Sequence, residues 1–172
     1  APLGFVRMGC SFMEIGTVTP LPQIGNPQPR IFRDAKNLAL INRMGFPSEG
    51  ARVVAERLIG MNWLHEKVPL GVNLGKNKLT PDAAAIEDYI SGLRTFESLG
   101  RFFVINLSSP NTPGLRELLT EDFLVQLAER EARLLPKLWI KLDPDMDKTK
   151  LQGMIKVIME RGFQGVVLTN TH

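Results

Sequence analysis

The chain has 172 residues, 44% hydrophobic and 23% charged, which is typical of one globular domain. Its formal net charge of +3 comes from basic residues scattered along the sequence, which argues against a nucleic-acid-binding protein. The single cysteine excludes an internal disulfide framework, and no apolar run approaches the ~20 residues that a membrane-spanning helix needs.

The first third of the chain predicts two strands, an irregular segment and a helix. Residues 1–5 are typical of the end of a strand, and residues 12–18 predict a second one. Only six residues separate the two, whereas a parallel crossover needs about a dozen, so either the pair is not parallel or residues are missing between them. Four prolines make residues 19–33 irregular, and Pro47-Ser48-Glu49 opens a helix.

From residue 69 onward the sequence repeats a unit of strand, polar loop and helix. The predicted strands are residues 69–74, 102–107, 138–142 and 163–170, and the predicted helices are residues 80–99, 120–135 and 150–161. A spacing of roughly 30 residues between strands fits βαβ units and a parallel sheet. Neither GxGxxG nor a P-loop is present, so we predict a (β/α)8 TIM barrel rather than a Rossmann or NTPase fold.

Polar residues stand at the carboxyl ends of the predicted strands, where barrels and doubly wound sheets bind their ligands. They are Thr17, Thr19, Asn73, Asn106, Lys141, Thr169 and Asn170. An uncharged amide offers both a donor and an acceptor, which suits a planar heterocycle such as a flavin or a pyrimidine. No carboxylate or histidine cluster accompanies these residues, so we expect no metal site.

Residues 105–116, INLSSPNTPGLR, carry the densest group of such side chains. Two amides and three hydroxyls lie within seven residues, directly after an apolar strand. The group either forms a tight turn or holds a polar ligand, and its position at the end of a buried strand favours the ligand. Ser109 has no nearby histidine for a hydrolytic triad. It either hydrogen-bonds its own loop or accepts a proton in step with a hydride transfer.

Lys141 also has more than one interpretation. It either places a cation where negative charge develops on a ring, or forms a salt bridge to Asp143 or Asp145. Two alternative functions follow from the residues alone. The first is a Schiff-base barrel lyase with Lys141 as the nucleophile. The second is an inactive barrel fragment that binds a ligand or a partner protein.

Six collinear motifs resemble the dihydroorotate dehydrogenase family, in its quinone-linked, membrane-associated class. They are EIGTVTP at 14–20, NPQPRIFR at 26–33, INRMGF at 41–46, GVNLGKNK at 71–78, INLSSPNTPGLR at 105–116 and LTNT at 168–171. The serine of SSPN marks that class, because the resembling soluble class, linked to fumarate or NAD, carries cysteine as its base.

The resemblance implies a TIM-barrel flavoprotein of pyrimidine biosynthesis that oxidises dihydroorotate to orotate and passes electrons through FMN to a quinone. It implies Ser109 as the base that takes the C5 proton while a hydride moves from C6 to the flavin. The implied orotate ligands are Asn42, Arg43, Met44, Gly45, Phe46, Asn106, Asn111, Asn170 and Thr171. The implied FMN ligands are Gly4, Thr17, Asn73, Asn106, Lys141 and Thr169.

The same resemblance implies that residues 1–172 form one FMN-binding barrel domain with about six of the eight strands. We expect a lysine-bearing segment after Phe5, two further strands beyond His172 and an N-terminal helical pair to lie outside this sequence. In the family that pair forms the quinone tunnel and associates peripherally with the bacterial inner membrane, on its cytoplasmic side, or with the mitochondrial inner membrane. Residues 142–145, LDPD, replace a more apolar family version beside Lys141.

Overall fold

The computed structural model describes residues 2–61, 68–111 and 114–169. The elements in chain order are α1 (Pro2–Arg7), β1 (Met13–Val18), β2 (Ile31–Asp34), β3 (Ala39–Asn42), α2 (Ala51–Ile59), β4 (Leu70–Leu74), α3 (Ala85–Phe96), β5 (Phe102–Asn106), α4 (Glu121–Arg130), β6 (Leu138–Lys141), α5 (Lys148–Arg161) and β7 (Gly165–Val167). Short 3₁₀ helices at Asp82–Ala84 and Ala132–Lys137 precede α3 and follow α4.

The main sheet contains five parallel strands in the order β1-β4-β5-β6-β7. Each strand lies beside the next strand of the repeat, and the order never reverses. A doubly wound sheet has a point of reversal, whereas a (β/α)8 barrel does not. The predicted barrel class is therefore confirmed, with the described strands forming part of a barrel.

The helices cover one face of this sheet and form the core with it. Residues of opposite parity point to the two faces of a strand, and Phe103 and Ile105 of β5 join the core cluster, as do Leu138 and Ile140 of β6. These four side chains are fully buried. The remaining positions, among them the strand-end residue Asn106, therefore face the opposite side of the sheet.

The ends of two helices follow the sequence signals. The Oγ1 atom of Thr120 accepts a hydrogen bond from Phe123 N at 3.1 Å and caps α4 as predicted. Gly162, in the left-handed conformation at φ 82°, ends α5 as predicted. The helix predicted to open at Pro47 begins later, at Ala51. The backbone of Ser48 is instead paired with that of Gln23 through two hydrogen bonds of 2.9 Å.

The prediction of a strand at residues 1–5 is wrong, because Pro2–Arg7 form helix α1. Its last turn closes with Met8 N and Cys10 N donating to the carbonyls of Gly4 and Phe5. The connection to β1 is too short for a parallel crossover, so this segment does not pair beside β1. The described sheet thus has five strands instead of the six expected.

An antiparallel hairpin of β2 and β3 begins at the end of the segment predicted to be irregular, residues 19–33, and continues to Asn42. Its residues Ile31, Phe32, Leu40 and Ile41 are all exposed. Because neither face of the hairpin is buried, its sequence lacks the alternation of apolar and polar residues that reveals a half-buried strand. Within the described ranges, no helix has the length and apolarity needed to cross a membrane.

Candidate functional site

Three polar side chains meet at the carboxyl ends of β1, β4 and β5. The Nδ2 atom of Asn106 lies 3.1 Å from both Thr17 Oγ1 and Asn73 Oδ1. Thr17 Oγ1 in turn donates to Asn73 Oδ1 at 2.8 Å. Both amides are only 4% exposed, so their remaining hydrogen-bonding capacity is confined to the sheet face they occupy. We call Thr17, Asn73 and Asn106 the amide cluster.

A glycine next to the cluster allows β1 and β4 to approach closely. The register of this strand pair shifts between Ile15 and Val18, which is where Gly16 and Thr17 lie. A Cβ atom on Gly16 would come within 2.5 Å of the Asn73 carbonyl oxygen, and its φ of 122° also disfavours any other residue. Gly16 therefore brings Thr17 within hydrogen-bonding distance of Asn73.

Two further residues extend the hydrogen bonds of the amide cluster in opposite directions. The Oγ atom of Ser108 donates to Asn106 Oδ1 at 3.2 Å, which connects the cluster to the loop after β5. The Nδ2 atom of Asn73 donates to Glu14 Oε1 at 2.8 Å. Sequence reasoning did not identify Glu14, although it opens the EIGTVTP motif.

Ser109 lies in the loop directly beyond this chain of hydrogen bonds and is 5% exposed. Its Oγ atom accepts a hydrogen bond from Asn111 N at 3.3 Å, the loop contact expected of a serine in a turn. Among the described residues this is the only hydrogen bond of the Ser109 hydroxyl. The hydroxyl therefore retains both a proton and a lone pair for a ligand.

The segment 42–46 packs beside the Ser109 loop. Asn111 Nδ2 lies 3.4 Å from the Asn42 carbonyl oxygen. Asn26 Nδ2 donates to the Asn111 carbonyl oxygen at 3.1 Å, and the same amide fills the space next to Gly45, where a Cβ atom would come within 2.6 Å of it. Asn26 thus joins the two segments, a role that no local sequence pattern indicated.

The neighbouring residues of segment 42–46 are held through the backbone. The side-chain amide of Gln23 donates to the carbonyls of Gly45 and Phe46 at 3.2 and 2.9 Å. Met44 contributes its carbonyl to Asn26 N at 2.9 Å. Gln23, like Asn26, was not identified from the sequence, since its contact spans more than 20 residues of irregular chain.

The structure does not bring every implied ligand to the amide cluster. The guanidinium of Arg43 lies 5.9 Å above the Phe32 ring and donates to the Pro29 carbonyl, which directs it toward the hairpin. Gly4 lies in α1, with open space around it, and makes no contact with the cluster. Asn170 and Thr171 lie outside the described residues.

Lys141 ends β6 directly beside Asn106 in the register of the sheet. It is half-buried, and among the described residues it has no hydrogen bond or ion pair. Asp143 and Asp145, its possible salt-bridge partners, lie 3.0 and 3.1 Å from Arg116 instead. The salt-bridge interpretation of Lys141 is therefore wrong. Thr169 follows β7, whose residue Val167 pairs with Lys141.

Tyr89, a core residue, hydrogen-bonds the backbone of Asn106 in the amide cluster. Its hydroxyl donates to the Asn106 carbonyl oxygen at 3.0 Å, and the side chain is fully buried. Burial raises the pKa of the Tyr89 phenol well above its ordinary value, because the phenolate would lose its hydration. The hydroxyl therefore stays protonated and fixes the end of β5. Within the described ranges, no group of three or more histidine, cysteine or carboxylate side chains is placed to hold a metal ion.

A partial parallel barrel with buried amides and a lysine at its strand ends defines an α/β-barrel protein with a polar ligand site. The family model described as dihydroorotate dehydrogenase matches residues 2–172, and the chain belongs to that family.

Relatives and solved structures agree with this assignment. The chain is 45% identical over 166 residues to the dihydroorotate dehydrogenase (quinone) of Nitratiruptor sp., covering 95% of this chain and 46% of the relative. It is 46% identical over 165 residues to that of Thermus thermophilus, covering 95% and 48%. A crystal structure of DHODH from Eimeria tenella in complex with ferulenol superimposes with a TM-score of 0.90 at 38% identity, covering 100% of this chain and 53% of that one. The chain thus spans about half the length of these proteins.

Proposed function

We propose that this protein oxidises dihydroorotate to orotate, with FMN as the hydride acceptor and a quinone as the final electron acceptor, in pyrimidine biosynthesis. The observation that carries the proposal is the buried amide cluster beside the Ser109 loop, at the strand ends of a chain of this family. A flavin and orotate are both flat rings edged with N–H and C=O groups, which neutral amides pair with directly.

The free hydrogen-bonding capacity of the cluster fits FMN. Among the described residues, Asn73 Nδ2 uses one of its two hydrogens on Glu14, and Asn106 Oδ1 accepts a single bond, from Ser108. One donor and one acceptor therefore remain at adjacent buried positions, and buried polar groups are almost always paired. Thr17, Asn73, Asn106, Lys141 and Thr169 would hold FMN, which when bound supplies the hydride acceptor.

Ser109 would accept the proton that leaves C5 of the substrate. Its buried hydroxyl has the Asn111 N–H as its hydrogen-bond partner, and that donor would stabilise negative charge developing on the oxygen. Lys141 is half-buried and free of ion pairs among the described residues, so its cation would stabilise negative charge on an adjacent ring. The two groups have complementary roles: a proton acceptor on the loop and a fixed cation on the strand.

The substrate would lie between the Ser109 loop and the segment 42–46. The hydrogen bonds of Asn111 and Asn26 hold these two parts of the chain together. Asn42, Gly45, Phe46, Asn106 and Asn111 supply the amide and backbone groups on this side. Asn170 and Thr171 would complete the set of orotate ligands.

The quinone and the membrane belong to the same proposal. Relatives of this chain are named dihydroorotate dehydrogenase (quinone), which supports a quinone as the electron acceptor here. We also propose peripheral attachment to the bacterial or mitochondrial inner membrane, where such quinones are dissolved. Flotation of the full-length protein with quinone-containing vesicles would test the attachment.

The function is tested by mixing the purified full-length protein with dihydroorotate under anaerobic conditions. We expect loss of the visible flavin absorbance together with formation of one orotate per flavin, and recovery of the absorbance when a soluble quinone is added. Trapping of substrate on Lys141 by borohydride, without bound flavin, would identify a Schiff-base lyase instead. Binding of orotate without any flavin reduction would identify an inactive ligand-binding barrel.

A further inference from the structure

Glu14 contacts the amide cluster from the side nearer the amino-terminal ends of the strands. It belongs to β1 and pairs in register with Gly71, two residues before Asn73 on β4. Its carboxylate therefore reaches diagonally across the strand pair to Asn73 Nδ2, at 2.8 Å. Beside it, Phe102 and Val104 line the same sheet face around a cavity of about 600 Å³.

A carboxylate fixes the orientation of an amide in a way that a neutral side chain does not. An asparagine can rotate by half a turn and exchange its donor for its acceptor, whereas an ionised carboxylate only accepts. Glu14 therefore requires the Nδ2 atom of Asn73 to face it. The Oδ1 atom of Asn73 is then directed toward Thr17 and Asn106, which both donate to it, at 2.8 and 3.1 Å.

The orientation of Asn73 determines that of Asn106 in turn. The Nδ2 atom of Asn106 must face the Asn73 oxygen, which leaves Asn106 Oδ1 to accept from Ser108 at 3.2 Å. If Asn73 were rotated, its Nδ2 would face the Nδ2 of Asn106, donor against donor. One carboxylate thus sets the direction of every hydrogen bond from β1 to Ser108, the residue next to Ser109.

We propose that Glu14 is a positioning residue that sets the donor and acceptor pattern presented to the flavin by the amide cluster. This inference rests on the proposed function, because it assigns the ligand of the cluster as FMN. Glu14 itself touches no ligand in this arrangement. It acts through Asn73, whose second Nδ2 hydrogen is left for the ligand.

The test compares two substitutions at Glu14 in the full-length protein after removal of its flavin. Glu14→Gln keeps an oxygen that can accept from Asn73, whereas Glu14→Leu keeps a similar size without any acceptor. FMN affinity is measured by quenching of flavin fluorescence, and the melting temperature of the flavin-free protein is recorded alongside. Glu160→Leu, which removes an exposed carboxylate from α5, is the matched control.

We expect Glu14→Leu to weaken FMN binding about tenfold, because Asn73 can then rotate and the flavin loses about one hydrogen bond to the amide cluster. Glu14→Gln should lose less, about threefold, because its amide oxygen still accepts from Asn73 Nδ2 although its NH₂ group no longer excludes the rotated orientation of Asn73. Glu160→Leu should be unchanged. The inference is overturned if Glu14→Leu binds FMN as tightly as the wild type. It is also overturned if Glu14→Gln binds FMN as weakly as Glu14→Leu. The same holds if the loss of FMN affinity in Glu14→Leu is fully accounted for by a lower melting temperature of the flavin-free protein. A wild-type protein that binds no FMN would instead refute the proposed function itself.

Discussion

Arg116 and Asp143 form an ion pair, with Nε of the arginine 3.0 Å from the carboxylate. The pair connects the loop that begins at Ser109 with the turn that follows Lys141. Asp143 is the more buried partner, with 11% of its side chain exposed, and Asp145 adds a more exposed contact at 3.1 Å. The carboxyl ends of β5 and β6, which carry Asn106 and Lys141, are thus joined by charge as well as by backbone pairing.

We expect Arg116→Met to lower the free energy of unfolding by about 1–3 kcal/mol, because the half-buried Asp143 carboxylate loses its cation and keeps the hydrogen bond from Asp145 N. Adding Asp143→Ala to this variant should recover part of the loss, since the unpaired charge is then gone. Urea unfolding of the two single variants and the double variant measures the coupling.

A matched control for this ion pair is Arg52→Met. Arg52 pairs with Glu56 on the surface of α2, with 80% and 59% of the side chains exposed. Such pairs contribute less than about 1 kcal/mol because water and salt screen them. Equal losses from Arg116→Met and Arg52→Met would show that burial of Asp143 has no energetic effect.

We expect Asn26→Ala to weaken orotate binding about tenfold while FMN remains bound. The substitution removes the hydrogen bond to the Asn111 carbonyl and empties the space beside Gly45, so the segment 42–46 loses its fixed position next to the Ser109 loop. Titration of the flavin spectrum with orotate gives the affinity. Asn37→Ala is the control, because among the described residues the hydrogen bonds of Asn37 go to Asp34, in the exposed hairpin turn. Loss of FMN from Asn26→Ala would place Asn26 in the flavin site instead.

The strand-end part of the site was predictable because it depends on periodicity alone. Asn73, Asn106 and Lys141 each stand near the carboxyl end of an apolar run, and parallel strands bring such ends to one edge. The barrel class followed from the same repeat of strand and helix. These inferences need only the local sequence and the rule that the carboxyl ends of parallel strands lie at the same edge of the sheet.

The remaining contacts depend on long-range packing that local sequence does not encode. Asn26 contacts Asn111 across 85 residues, and Glu14 contacts Asn73 across 59 residues. Glu14 and Asn26 each open a motif of the family resemblance, but no periodicity in the neighbouring sequence indicates which residue either one contacts. The first segment was mispredicted for a related reason: an apolar run of five residues is compatible with either a strand or a helix, and only its partners decide.

We expect stability to fall above pH 10 in part because of Tyr89. The pKa of this buried phenol is raised, so the folded state keeps a proton that the unfolded chain releases once the pH exceeds the ordinary value of 10.0. The stabilisation is complete below that pH and is lost as the pH rises further, by about 1.4 kcal/mol per pH unit. Tyr89→Phe removes this contribution to the pH dependence of the free energy of unfolding. At neutral pH it lowers the free energy of unfolding by about 1–3 kcal/mol, because the Asn106 carbonyl loses its donor.

Urea unfolding of wild type and Tyr89→Phe at pH 8, 10 and 11 tests this prediction. The free energy of unfolding of the wild type should exceed that of Tyr89→Phe by a smaller amount as the pH rises. A constant difference would show that the phenol ionises equally in the folded and unfolded states. Tyr89 is the only tyrosine of this sequence, so no second phenol in this chain obscures the comparison.

We expect Ser109→Ala to retain its flavin but to be reduced by dihydroorotate about 10²–10⁴-fold more slowly, the range for loss of a general base. The flavin should stay because the groups of the amide cluster are unchanged and Ser109 bonds only Asn111 N among the described residues. Anaerobic stopped-flow absorbance gives the reduction rate, and Ser91→Ala, an exposed serine on α3, is the control. Reoxidation by a quinone should proceed at the wild-type rate, since no substrate proton is transferred in that half-reaction. A Ser109→Ala protein that is reduced normally would leave the hydroxyl with the single role of bonding its own loop.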